Sequence, residues 1–230
     1  MARRSLPERT VDAWVTTAIN AKYPNARLWA PTQNDRSNWD TGLGVAGKAF
    51  IFEDKATTPG TRKRKPPKTF HRIDIDTNQL HWYCTDVEVN HAVPAYYVLP
   101  NPPWAGEPTG SDVLPDQVRH QQTFATWAWV IRCTDLRIML ASRKHLETHT
   151  LPGSSAITLE DFLQRLWACQ VGRRVTGKPT ASQQRDEVRR LNIGTPDVTD
   201  QIPEPDHHFT RSSLAVFVPS RDLSPQPWFD

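Results

Sequence analysis

Between residues 8 and 22 the apolar side chains Val11, Trp14, Val15, Ala18 and Ile19 recur at intervals of three and four. That spacing predicts an amphipathic helix, which Pro24 and Asn25 should end. A short strand is expected over 27–30, and the polar, turn-rich stretch 31–38 separates it from an apolar run at 46–56 that reads as a buried strand. The pattern then predicts a helix over 73–84. A strand over 91–100 follows, rich in Val93, Tyr96, Tyr97, Val98 and Leu99 and closed by prolines. Beyond it, 101–117 reads as a Pro- and Gly-rich loop whose length invites a function. The remaining elements expected are a strand over 124–133, helices over 159–171 and 183–191, and an edge strand at 214–218. The polar span 172–211 is expected to be flexible or partner-binding.

Composition adjusts this picture only a little. At 230 residues the chain is long enough for one substantial core and too short to require two full domains. One domain is expected, with a core over about 5–135 and a C-terminal helical or irregular elaboration over about 136–230. The net charge of +3 is mildly basic, so nucleic-acid contact is permitted without being demanded. The three cysteines, Cys84, Cys133 and Cys169, are widely spaced, which indicates neither a disulfide framework nor a Cys-x-x-Cys metal site. No apolar stretch reaches membrane-spanning length and the N-terminus lacks the apolar run of a secretion signal, so a cytoplasmic location is expected.

The 46–56 strand carries the chemistry. Its period of two sends Ile51, Glu53 and Lys55 to one face and Phe50, Phe52 and Asp54 to the other. Upstream lies Asp40. If a turn at Gly42, Gly44 and Gly47 folds Asp40 back beside Glu53, the two carboxylates can hold a hard divalent cation through oxygen ligands. Lys55 would then stand beside an attacked phosphate, where an ammonium can orient water and offset developing charge. Acting at a site rather than in the core, Glu53 and Lys55 should tolerate alanine with little change in thermal stability. Directly after the strand, Arg62, Lys63, Arg64, Lys65 and Lys68 cluster where they could neutralise nucleic-acid phosphates. A solvated charged loop explains them equally well.

In that arrangement Asp40, Glu53 and Lys55 resemble the PD-(D/E)XK, or restriction-endonuclease-like, nuclease superfamily, over roughly the first hundred residues. Glu8 stands where the family often has an acidic residue on its first helix. Gln79 matches a glutamine that some members carry on the helix after the lysine strand. The departure is Trp39, where the family pattern has proline. The resemblance implies an α/β fold with an αβββαβ core, a mixed central sheet flanked by helices, and a C-terminal extension; a third hairpin strand must then lie between residues 31 and 47. It further implies a Mg²⁺- or Mn²⁺-dependent nuclease acting on DNA in restriction, phage defence or repair, alone, as a homodimer or within a larger defence or repair complex. Asp40 and Glu53 would bind the metal, Lys55 would position water, and Glu8 and Gln79 would support metal or phosphate. The alternative is a non-catalytic nucleic-acid-binding or assembly subunit that keeps the fold.

Other patterns carry less. Gly42-x-Gly44-x-x-Gly47 matches a dinucleotide-binding fingerprint, yet it leads into a strand where that motif must open a helix. His145 and His149 have the spacing of zinc ligands on a helix, but Leu146 stands where the glutamate is required. Asp206-His207-His208 reads as an exposed turn. Of the nine tryptophans, Trp14, Trp82, Trp127, Trp129 and Trp167 are expected in the core, whereas Trp39 and Trp104 fall in loops near the proposed site.

Overall fold

The computed structural model describes residues 6–29, 46–62, 68–90, 92–103, 120–141, 145–175 and 213–224. Helix α1 (Glu8–Lys22) has the predicted boundaries and buries Val11, Trp14, Val15 and Ile19. The motif strand is β2 (Gly47–Asp54); it follows β1 (Arg27–Trp29) and precedes a hairpin of β3 (Thr58–Arg62) and β4 (Lys68–Ile73). Helix α2 (Thr77–Trp82) runs on into a π-helical segment, Tyr83–Asn90. Next come β5 (Ala95–Pro100), α3 (Phe124–Trp127), β6 (Ala128–Arg132), α4 (Cys133–Leu140), β7 (Leu146–Glu147) and β8 (Ile157–Thr158). Helix α5 (Leu159–Trp167), β9 (Arg173–Val175) and β10 (Ser213–Pro219) complete the set.

The main sheet is mixed, with strands in the order β1-β10-β2-β5-β6-β8 and β9 also pairing with β2. β2 lies between antiparallel β10 and parallel β5. Buried on both faces, it reads as a nearly continuous apolar run rather than an alternating one. The period of two nevertheless sorts its side chains. Ala49 and Ile51 join Tyr97, Leu99, Ile131, Ala215 and Phe217 in a core closed by Leu80, Tyr83 and Val87 after β4 and by Leu136 and Leu140 of α4. Phe50 and Phe52 face the opposite way, into a second core with Val11, Trp14, Val15 and Ile19 of α1 and Phe162, Leu163 and Leu166 of α5. Helices thus flank a mixed central sheet on both faces. β3, β4 and β7 form a separate three-stranded sheet.

Several expected elements differ. The 73–84 helix starts later, because β4 runs to Ile73 and the helix begins only behind Asp76, whose side chain accepts hydrogen bonds from the backbone N–H groups of Asn78 and Gln79. The 124–133 strand opens with a helical turn, α3, before β6 begins. The 214–218 strand is no edge: β10 inserts between β1 and β2, so part of the C-terminal third belongs to the central sheet. Trp167 is 40% exposed rather than in the core, because it lies off the α5 face that buries Phe162, Leu163 and Leu166. Gly47 opens a strand, not a helix, and packs so closely on β10 that a Cβ there would meet the Val218 carbonyl and the Phe217 ring. The hairpin strand expected between residues 31 and 47, the loop tryptophans Trp39 and Trp104, the 183–191 helix and Asp206-His207-His208 lie outside the described residues. Among the described residues, no helix is long and apolar enough to cross a membrane.

Candidate functional site

Glu53 is the penultimate residue of β2, and the ladder continues one step further because the Lys55 backbone N–H donates to the Val98 carbonyl at 3.1 Å. Both side chains therefore keep to the Ile51 face, at the C-terminal end of a central strand. Neither is solvated: Glu53 is 1% and Lys55 7% exposed. Lys55 Nζ donates to Glu53 Oε1 at 2.6 Å and to Gln79 Oε1 at 3.1 Å. Two side-chain oxygens from different elements thus converge on one ammonium. The Tyr97 ring lies beside it, its centroid 5.7 Å from Nζ.

Local sequence explains how Gln79 reaches this point. The Asp76 cap starts α2, with Oδ1 accepting from Asn78 N at 2.8 Å and Gln79 N at 3.3 Å, which fixes Gln79 in the first turn. One helical turn on, at i+4, Tyr83 presents its hydroxyl to the same place. Tyr83 Oη donates to Glu53 Oε2 at 2.8 Å, and Ser213 Oγ donates to the same oxygen at 2.6 Å. Ser213 arrives through the sheet, since the register of β10 on β2 sets it opposite Glu53. Burial, and after it the negative charge of Glu53, push the Tyr83 phenol well above its usual range and keep it a donor.

Of the residues expected from the sequence, Glu53, Lys55 and Gln79 are brought together, and Asp40 lies outside the described residues. Glu8 is exposed in the first turn of α1. Its helix begins beside the end of the motif strand, because Leu6 bridges Thr57, but α1 packs on the opposite face of β2 from Glu53. Glu8's charge acts there on Asp54. Asp54 is wholly buried, neither carboxyl oxygen has a hydrogen-bond partner among the described residues, and burial followed by the charge of Asp12 raises its pKa well above the ordinary carboxylate value. Within the basic cluster, Arg62 and Lys68 pair in register across the β3–β4 hairpin three residues past Lys55, while Lys63, Arg64 and Lys65 lie outside the described residues. Tyr83 and Ser213 were not singled out from the sequence. The i+4 spacing from Gln79 was a usable signal for Tyr83; Ser213 had none.

Among the described residues, no group of three or more His, Cys, Asp or Glu side chains is arranged to hold a metal ion. The donors that converge here, a carboxylate and an amide oxygen, are nevertheless the hard ligands that Mg²⁺ and Mn²⁺ take. Their present cation is an ammonium. Elsewhere, Cys84 and Cys133 are buried free thiols and Cys169 is partly exposed. His149 Nδ1 lies 3.4 Å from Glu147 in a 3₁₀ turn. No family model, curated protein or solved structure matches this chain.

Proposed function

We propose that the chain is a divalent-metal-dependent nuclease of the PD-(D/E)XK type that hydrolyses phosphodiester bonds in DNA. The observation that carries this reading is the convergence of Glu53, Lys55 and Gln79, residues spread over two elements, on one buried point at the end of a central strand. A buried ion pair contributes little net stability, because desolvating both charges offsets most of their attraction. A functional role gives a reason for it to be there. The order of elements is compatible with the superfamily core: a helix, the acidic-x-lysine strand, the helix bearing Gln79, and a strand parallel to the first.

In this reading Asp40 and Glu53 would hold Mg²⁺ or Mn²⁺, and such an ion, when bound, would supply Lewis acidity toward the scissile phosphate and make a bound water more acidic. Lys55, now on Glu53 and Gln79, would have to leave Glu53 for the carboxylate to take a cation, and its charge could then offset negative charge on the phosphate oxygens in the transition state. Gln79 orients the ammonium or the water. The water oxygen would bond to phosphorus as the P–O3′ bond breaks, the water giving up a proton to solvent and O3′ taking one up, so that a 5′-phosphate and a 3′-hydroxyl remain, with the 62–68 basic cluster on flanking phosphates. Restriction, phage defence and repair are settings that suit such chemistry, and a homodimer or larger complex is compatible with it.

The test is cleavage of supercoiled and linear DNA with Mg²⁺ or Mn²⁺, comparing wild type with Lys55→Met. Loss of a charge that acts in the transition state should cut the rate by about 10²–10³-fold. Undiminished cleavage would move the chemistry elsewhere.

A second reading has an observation in its favour: both Glu53 oxygens already have protein partners, Lys55 on one and Tyr83 and Ser213 on the other, as a purely structural pair would. The chain is then a non-catalytic nucleic-acid-binding or assembly subunit. Wild type would cut neither DNA nor RNA with any divalent metal, yet bind with an affinity that falls steeply with salt.

A further inference from the structure

We propose that Tyr83 and Ser213 are positioning residues of the Glu53 site, fixing the rotation of its carboxylate so that Oε1 is the oxygen presented to a cation. The inference rests on the metal-dependent reading above and adds to it two residues, one of them 160 positions from Glu53.

The geometry is specific. Two hydroxyls from different elements converge on Oε2, at 2.8 Å from Tyr83 and 2.6 Å from Ser213, and the hydroxyl oxygens lie 3.0 Å apart. Each hydroxyl has one proton to donate, and a carboxylate oxygen is a stronger acceptor than a neutral hydroxyl. The 2.6 Å bond from Ser213 has the length of a charge-assisted O–H···O⁻ bond, and the 2.8 Å bond from Tyr83 that of an ordinary O–H···O bond. A carboxylate held by one donor can still swing about its χ3 torsion, whereas two donors from rigid elements on one oxygen remove that freedom. Both supports are buried. Tyr83 is fully buried, with its ring edge-on to Tyr97 at 5.8 Å between centroids, and Ser213 is held by the β10–β2 ladder. Oε1 is thereby turned to Lys55 and Gln79, the face on which a metal would have to enter.

Outer partners of metal ligands set ligand orientation, and losing one typically costs 10–100-fold in metal affinity. The test is Mn²⁺ binding followed by EPR on the full chain for wild type, Tyr83→Phe, Ser213→Ala and Ser213→Thr, alongside the Mg²⁺ dependence of DNA cleavage. The expected result is that Tyr83→Phe and Ser213→Ala each weaken Mn²⁺ binding by about 10–100-fold. Both should raise the Mg²⁺ concentration needed for half-maximal rate, while the rate at saturating Mg²⁺ falls much less. Ser213→Thr keeps the hydroxyl and should restore binding toward wild type, which a packing role would not produce, since threonine is the larger change in volume. Equal Mn²⁺ affinity in all four proteins overturns this inference alone. Absence of Mn²⁺ binding by wild type overturns the metal reading, and the inference with it.

Discussion

The Glu53–Lys55 pair makes a prediction opposite to the one the sequence suggests. With both side chains almost fully buried and their oxygen and nitrogen 2.6 Å apart, Glu53→Ala leaves an ammonium in the interior with the Gln79 oxygen and the Tyr97 ring as its partners among the described residues. It also removes the carboxylate oxygen that the Tyr83 and Ser213 hydroxyls share. Breaking a buried pair from one side costs about 3–5 kcal/mol, because the remaining charge has lost its compensation. For a chain of this size each kcal/mol lowers the melting temperature by about 2–4 °C, so Glu53→Ala should melt roughly 6–20 °C below wild type. The double variant Glu53→Met/Lys55→Met should recover most of that loss. Two apolar side chains of similar volume remove both desolvation costs, and Tyr83 and Ser213 can still bond each other across 3.0 Å. Scanning calorimetry of wild type, both singles and the double measures it. A Glu53→Ala melt within about 2 °C of wild type, or a double variant no more stable than the singles, would refute the buried-pair reasoning. The double variant also serves as a control in cleavage assays, since it removes the site's charge while keeping the fold.

Two further predictions concern the surroundings of the site. Asp54 has a folded-state pKa raised well above its unfolded value by burial and by the charge of Asp12. The stability that goes with its protonated form is therefore complete below the unfolded value of about 3.9 and is lost as pH rises through the folded value. Asp54→Asn cannot ionise. Its stability relative to wild type should increase from pH 4 to pH 7, by at most about 1.4 kcal/mol per pH unit, in urea unfolding at each pH; a difference independent of pH would count against a buried neutral acid. Asp76→Ala removes the cap that starts α2 and should cost about 0.5–2 kcal/mol by urea denaturation. It should lower cleavage as well by loosening Gln79, and wild-type activity in this variant would mean that Gln79 needs no fixed placement.

How much of this was legible depended on whether a feature was local. The 3.6-residue spacing of Val11, Trp14, Val15 and Ile19, with a stop at Pro24 and Asn25, was enough to place α1 over about residues 8–22. Period two along one strand set Glu53 and Lys55 on a common face, and Gln79 needed only the next helix to fold back. The start of that helix was misplaced because Phe70 and Ile73 suit strand and helix alike; Asp76, a strong N-cap, was the better marker. Pairing across the sheet was not legible at all. Leu214–Val218 has the composition of many strands, and nothing in it specifies that its partners are β1 and β2, far away in the sequence. Ser213 was missed for the same reason. The burial of Lys55 and Glu53 likewise follows from β10, α2 and β5 closing around the end of β2, which no local pattern encodes.

A crystal structure of the chain soaked with Mn²⁺, read by anomalous scattering, tests the central claim most directly. The expected result is one Mn²⁺ peak in contact with Glu53 Oε1 and the Asp40 carboxylate, with Lys55 Nζ moved off Glu53. A Lys55–Glu53 bond unchanged at saturating Mn²⁺, with Asp40 on another surface and no metal between them, would contradict it.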